Sequence, residues 1–231
     1  MSADPLFARL AAAYVRGALQ EATAPPGTPA LLDQPLDALD DAELAALVAI
    51  GHERGLRLHR FKRTMGLARV QAVLGILRGI APAELLDIGS GRGAFLWPLL
   101  DAMPMLPITA VDLLPHRVAD IERVAAGGVT TLRGRLADAT ELPFPPRSFD
   151  VVTMLEVLEH IPDTAAALAS VLRVARRFAV LSVPSRPDDN PEHVHLFSAE
   201  RLSGLLRAHG AARVSTQHLP GHIVLVATVQ L

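Results

Sequence analysis

From residue 84 onward, short apolar runs alternate with amphipathic stretches, and this alternation constrains the fold more than any other feature of the chain. Runs such as "FDVVTML" (149–155) and "FAVLSV" (178–183) are mostly apolar, the pattern of strands covered on both faces, as a mostly parallel sheet requires. Strands are expected near 84–88, 108–112, 129–135, 149–154, 177–183, 212–217 and 222–229, with helices near 93–102, 115–126, 163–174 and 199–208. Only "QHLPG" separates the last two strands, so they should pair as a hairpin and set one antiparallel strand into an α/β sheet.

The first 79 residues read differently. Residues 5–22 have helical spacing, with Leu6, Leu10, Ala13 and Tyr14 along one side. "TAPPGTPALLDQP" (23–35) is a connector, and acidic residues place a helix start near Asp40 or Asp41. In "HERGLRLHRFKRTMG", Arg54, Arg57, Arg60, Lys62 and Arg63 form the one local concentration of charge. On a helix, Leu58, Phe61 and Met65 would make an apolar edge beside a solvated face; alternatively the segment is a basic lip over the active site. A further helix is expected over 67–79. The chain thus divides into a helical accessory region, 1–79, with a linker at 23–36, and a larger domain, 80–231.

Half of the residues are hydrophobic and 4% are aromatic, the balance of a packed protein. The formal net charge of -2 offers no overall attraction to a polyanion, so any affinity for nucleic acid would be local. With no cysteine, disulfides, thiolate nucleophiles and thiolate metal sites are excluded. No window approaches the roughly 18 consecutive apolar residues of a membrane span, and Asp4, Arg9 and Arg16 interrupt the start where a signal peptide would be apolar. A cytoplasmic protein with no membrane partner is expected.

In "LLDIGSGRGAF" (85–95), an apolar run carrying Asp87 leads into Gly89, Gly91 and Gly93 and then into a helix. Such a turn lets a nucleotide-type cofactor approach the main chain. Read as G-x-G-x-x-G, it has Ala94 at the last position, a tolerated replacement. Asp87 is awkward beside a phosphate and welcome beside a cation, which favours S-adenosylmethionine over NAD. Asp112 closes the second strand about 20 residues on, where a carboxylate can accept from a ribose diol; it would serve equally as a helix cap. Asp138 could accept from an adenine amino group beside the backbone of Ala139, or the two could form a surface turn.

"LLDIGSGRGAFLWPLL", Asp112, "LADATELPFPPRSFDVVTMLEVLEHI" and "FAVLSVPS" together resemble the successive motifs of the class I S-adenosylmethionine-dependent methyltransferases, over about residues 80–229. The resemblance implies a Rossmann-like, seven-stranded, mostly parallel sheet whose last strand is antiparallel, here with an N-terminal helical extension. It implies that Asp87 and the stretch Gly89, Ser90, Gly91 to Gly93 surround the methionine part of the cofactor. Asp112 would meet the ribose, Asp138 and Ala139 the adenine, and Leu113 would line the adenine pocket. Met154, Leu155 and Glu156 would close the site at the fourth strand.

Methyl transfer from a sulfonium needs an acceptor lone pair held behind the methyl carbon, and a base where the acceptor carries a proton. His160, His195 and Glu156, from "EVLEH" and "NPEHVHLF", are the candidate catalytic residues, although "LEHI" also organises its loop across the superfamily. Glu156, Glu159, His160 and His195 could instead share a divalent ion. That grouping is similar to the methyltransferases that modify the terminal ribose of small RNAs, although Ser198 and Ala199 replace that family's aromatic and acidic residues. A small-molecule acceptor methylated on O, N or C suits the size, charge and short loops, with Arg54, Arg57, Arg60 or Arg186 available to a carboxylate or phosphate. An RNA methyltransferase would use the basic stretch but should carry stacking aromatics, and the chain has one Trp and one Tyr. A cofactor-binding partner protein without catalysis is the third reading.

Overall fold

A computed structural model describes residues 6–20, 29–63, 66–187 and 189–229. Seven strands, β1 (Leu85–Ile88), β2 (Ile108–Asp112), β3 (Leu132–Leu136), β4 (Phe149–Leu155), β5 (Ala175–Pro184), β6 (Ala211–Leu219) and β7 (His222–Val229), form one sheet in the order β3-β2-β1-β4-β5-β7-β6. The first five run parallel, and β7 is antiparallel to both of its neighbours, β5 and β6. This is the expected Rossmann-like sheet. The chain leaves β1 outward through β2 and β3 and returns on the other side at β4, so a crevice opens between β1 and β4 at their C-terminal ends.

Among the described residues eight α-helices accompany it: α1 (Ala8–Gln20), α2 (Pro29–Asp33), α3 (Asp41–Glu53), α4 (Ala68–Ile80), α5 (Leu96–Ala102), α6 (Pro115–Ala126), α7 (Thr164–Val174) and α8 (Ala199–Ala208). Alternation along the strands sends side chains to two cores. Leu85, Ile108 and Val151 pack with α1, α3, α4, α5 and α6, whereas Leu86, Ile88 and Val152 pack with α7 and α8. Local signals fix the helix starts. Asp40 and Glu43 form a reciprocal capping box for α3, Pro115 opens α6, and the side chains of Asp163 and Ser198 cap α7 and α8.

The N-terminal helices share the first core with the sheet. α1 crosses α6 with backbones almost in contact: a Cβ on Gly17 would lie 2.0 Å from the Arg123 carbonyl oxygen, and one on Gly127 would lie 1.7 Å from that of Ala13. Residues 23–28 of the linker lie outside the described residues. The rest forms α2 and a 3-10 turn at Leu36–Ala38, held to α1 by the buried Arg16, which donates to the carbonyls of Leu32 (2.8 Å) and Gln34 (2.7 Å).

The basic stretch forms a 3-10 turn at Leu58–Phe61 in place of an amphipathic α-helix, and Met65 lies outside the described residues. Leu58 and Phe61 are buried, with the Phe61 ring between Tyr14 (5.4 Å) and Trp97 (5.0 Å). Arg60 pairs with Asp120 of α6 and lies over the Tyr14 ring, while Arg63 pairs with Asp101 at 3.1 Å. These two arginines join the N-terminal helices to the body, and the expectation of a basic lip fails for them. No helix among the described residues is long and apolar enough to cross a membrane.

Candidate active site

β1 brings Asp87 to the crevice with its carboxylate enclosed. Oδ2 accepts from the Ser90 hydroxyl and Oδ1 from the Thr153 hydroxyl, both at 2.8 Å, which ties the start of the glycine loop to β4. Burial pushes the Asp87 carboxyl up to about 6, against the pull of those two hydroxyls, and nearby Asp112 adds to the rise. Gly89 donates to the Val111 carbonyl at 2.8 Å, and its φ of 70° together with a would-be Cβ 2.4 Å from the Val157 side chain requires glycine. Gly91 donates to Asp112 Oδ2 at 2.8 Å, and Leu114 donates to Oδ1 at 3.0 Å. Gly93 has another task. A Cβ there would meet the Trp97 indole at 2.0 Å, so that glycine makes room for a buried ring and borders neither cavity described next.

Two cavities meet at Gly89, Gly91 and Glu156. The larger, of ≈ 590 Å³, runs past Asp112, Leu113, Asp138 and Ala139 and ends against Val157, His160 and Ile161. Asp138 Oδ1 accepts from the backbone (2.8 Å) and hydroxyl (2.7 Å) of Thr140, bonds that hold its carboxyl below the usual range. The smaller, of ≈ 180 Å³, is bordered by Asp87, Ser90, Leu155 and Glu156 and by two arginines, Arg69 and Arg92. The sequence-derived cofactor residues other than Gly93 therefore border one connected space. Met154 does not: it is fully buried in the core behind β4.

Glu156 directly follows β4 with a φ of 57°, a left-handed conformation that costs a non-glycine residue about 1 kcal/mol or more. The turn aims its side chain at three partners. Ser182 donates to Oε1 at 2.6 Å, His222 Nε2 lies 3.1 Å from Oε2, and Arg69 Nε stands 3.9 Å from Oε1. Neither Arg69 nor His222 follows from the motif reading. His222 carried a signal nonetheless: it begins the antiparallel strand, so it sits at the edge where the parallel strands end.

His160 Nδ1 lies 3.1 Å from the Glu192 carbonyl, which can only accept, so that nitrogen carries the hydrogen and Nε2 the lone pair of the neutral ring. His195 is placed elsewhere. Its Nε2 lies 3.2 Å from the Pro162 carbonyl, and it borders a separate cavity with Arg186 and His193. The quartet Glu156, Glu159, His160 and His195 is not assembled, because Glu156 is bonded to Ser182 and His222 while His195 turns to Pro162. Among the described residues the acid–imidazole group that gathers is Glu159, His160 and His193, with potential ligand atoms within 4.8 Å of one another.

The methyltransferase domain family matches residues 86–183, the stretch from β1 to β5 that carries the glycine loop, Asp112, Asp138 and Glu156. A demethylmenaquinone methyltransferase of Roseiflexus sp. is 32% identical over 166 residues, 68% of this chain and 68% of that protein. The chain belongs to the class I S-adenosylmethionine-dependent methyltransferase family. Another relative within this family, the ubiquinone biosynthesis O-methyltransferase of Azotobacter vinelandii, is 33% identical over 136 residues; the chain spans 56% of its length, and the match covers 56% of this chain. The N-terminal domain of EvdMO1, solved with SAH bound, shares the methyltransferase fold at a TM-score of 0.57 and 18% identity, over 71% of this chain and 82% of that one.

Proposed function

We propose that the chain transfers a methyl group from S-adenosylmethionine to a ring hydroxyl of a quinone-type small molecule. The observation that carries the reading is the pairing of the two cavities. The larger offers the Asp112 carboxylate at one point and Asp138 with Ala139 at another, with apolar Ile88 and Leu113 between, as a ribose and an adenine would need. The smaller carries two carboxylates and two guanidinium groups, the complement of a zwitterionic amino-acid end. When bound, the cofactor supplies an electrophilic methyl group on a sulfonium.

The chain's own residues would do the rest. Asp87, bonded to Ser90 and Thr153, ties the glycine loop to β4 and so would keep it in place for the cofactor. Val157 and Ile161 would hold the ring of the acceptor and exclude water, and His160 Nε2 would take the proton of its hydroxyl. Glu156 is a weaker candidate for that proton, since Ser182 and His222 already engage its oxygens. A small acceptor is favoured over RNA because none of Arg54, Arg57, Arg60 and Arg63 borders either cavity. The named activities of the Azotobacter and Roseiflexus relatives, in ubiquinone biosynthesis and on demethylmenaquinone, point to the same class.

The test is incubation with methyl-labelled S-adenosylmethionine and either hydroquinone- and catechol-type acceptors or RNA oligonucleotides, read by mass spectrometry. Label on a ring hydroxyl is the expected result. Label on the terminal ribose would establish the RNA reading, and cofactor binding with no transfer to any acceptor would favour the non-catalytic one.

A further inference from the structure

His222 lies between Arg69 and Glu156. Its Nε2 is 3.1 Å from Glu156 Oε2 and 3.3 Å from Arg69 Nη1, while Arg69 Nε and Glu156 Oε1 stand 3.9 Å apart. The ring is fixed from behind, with Nδ1 3.2 Å from the Pro220 carbonyl. Ser185 donates to the Gly221 carbonyl at 2.9 Å, which holds that turn against the end of β5. Glu156 is fixed as firmly by Ser182.

An arginine and a glutamate brought to one small cavity by α4 and β4 tend to close into a bidentate ion pair, each cancelling the other's charge toward a third group. We propose that His222 is a positioning residue that keeps Arg69 and Glu156, whose Nε and Oε1 stand 3.9 Å apart, from closing into that bidentate pair, so that each presents its own charge to the amino-acid end of the cofactor. One nitrogen cannot donate to the carboxylate and accept from the guanidinium at once. The imidazole therefore satisfies one partner at a time, and its Nε2 stands nearer to each of them, at 3.1 and 3.3 Å, than Arg69 Nε stands to Glu156 Oε1, at 3.9 Å. The inference rests on the S-adenosylmethionine reading above.

Calorimetry with two ligands tests it: S-adenosylhomocysteine, and 5′-methylthioadenosine, the same nucleoside thioether without the amino-acid end. His222→Ala lets Arg69 close on Glu156, and the expected result is a loss of about tenfold or more in affinity for S-adenosylhomocysteine. Affinity for methylthioadenosine should stay within about twofold. His222→Gln, whose amide can donate to Glu156 and accept from Arg69, should restore most of the loss. Where His222→Ala does not fold, His222→Asn, too short to span the pair, takes its place. An equal loss for both ligands, or none for S-adenosylhomocysteine, overturns the inference. Failure of the unaltered protein to bind either ligand overturns the cofactor reading instead.

Discussion

The Gly91 N–H and the Asp112 carboxylate meet at 2.8 Å, so the residue expected to hold the ribose also fixes the loop beneath it. Its other oxygen takes the Leu114 N–H at 3.0 Å, and two backbone segments of the cavity wall depend on one side chain. Asp112→Ala should lower affinity for S-adenosylhomocysteine by about tenfold or more, through both the lost acceptor and the loosened loop. Asp112→Asn, which keeps one acceptor oxygen, should lose less. Calorimetry that finds the alanine variant unchanged would refute the ribose role.

Asp87 gives a prediction in pH. Burial pushes its carboxyl up to about 6, so the folded state binds this proton more tightly than the unfolded chain does. The cost of ionising it is fully present above about pH 6 and is relieved as the pH falls toward the ordinary value of about 4. At neutral pH that cost is on the order of 3 kcal/mol. Asp87→Asn avoids it, so the variant should resist urea better than the unaltered protein near pH 7, with the advantage shrinking to nothing near pH 4. Asp138, held below the usual range by Thr140, titrates in both proteins and drops out of the comparison. A difference independent of pH would show that the Asp87 carboxylate is not strained by its burial.

The central strands are legible because short, mostly apolar runs such as those of β4 and β5 have few other uses, and β4 ends within a residue of its expected position. The glycine loop, Asp112 and Asp138 are legible because each lies at or just past the C-terminal end of a strand. The basic stretch was not. Its composition says nothing of partners, and Arg60 finds Asp120 and Tyr14 only once α1 has crossed α6. Glu156 and His160, four apart, would share one face of a helix. Both do border the larger cavity, but Glu156 turns the chain at positive φ and a 3-10 turn follows at Leu158–His160, so their polar atoms face different partners. Arg69 and His222 lie 153 positions apart, and only the placement of β7 beside β5 brings them to one site.

The crossing of α1 and α6 predicts opposite results for two glycine substitutions. Gly17→Ala would place a methyl group against the Arg123 carbonyl, so the helices must separate, and the expected loss is about 1–3 kcal/mol in urea unfolding. On the exposed face of α4, a Cβ at Gly75 meets nothing within 4 Å, and Gly75→Ala should stabilise by about 0.5–1 kcal/mol. A neutral Gly17→Ala would mean that the N-terminal helices do not sit on α6 as described.

His160 and His195 are separated by what their rings border. The His160 ring borders the larger cavity with Nδ1–H given to the Glu192 carbonyl, leaving Nε2 for an acceptor's proton. The His195 ring gives Nε2–H to the Pro162 carbonyl and borders the separate cavity. For a hydroxyl acceptor, His160→Ala should reduce kcat by about 10²–10⁴-fold, the usual contribution of a general base, with affinity for S-adenosylhomocysteine within about twofold. His195→Ala should cost about tenfold at most, since its ring can act only through the segment that carries it. Steady-state kinetics beside calorimetry separates the two. Equal losses of kcat would return His195 to the catalytic set and require the loop at 189–197 to close over the acceptor, whereas an unchanged kcat in His160→Ala would move the proton acceptor to another group or to water.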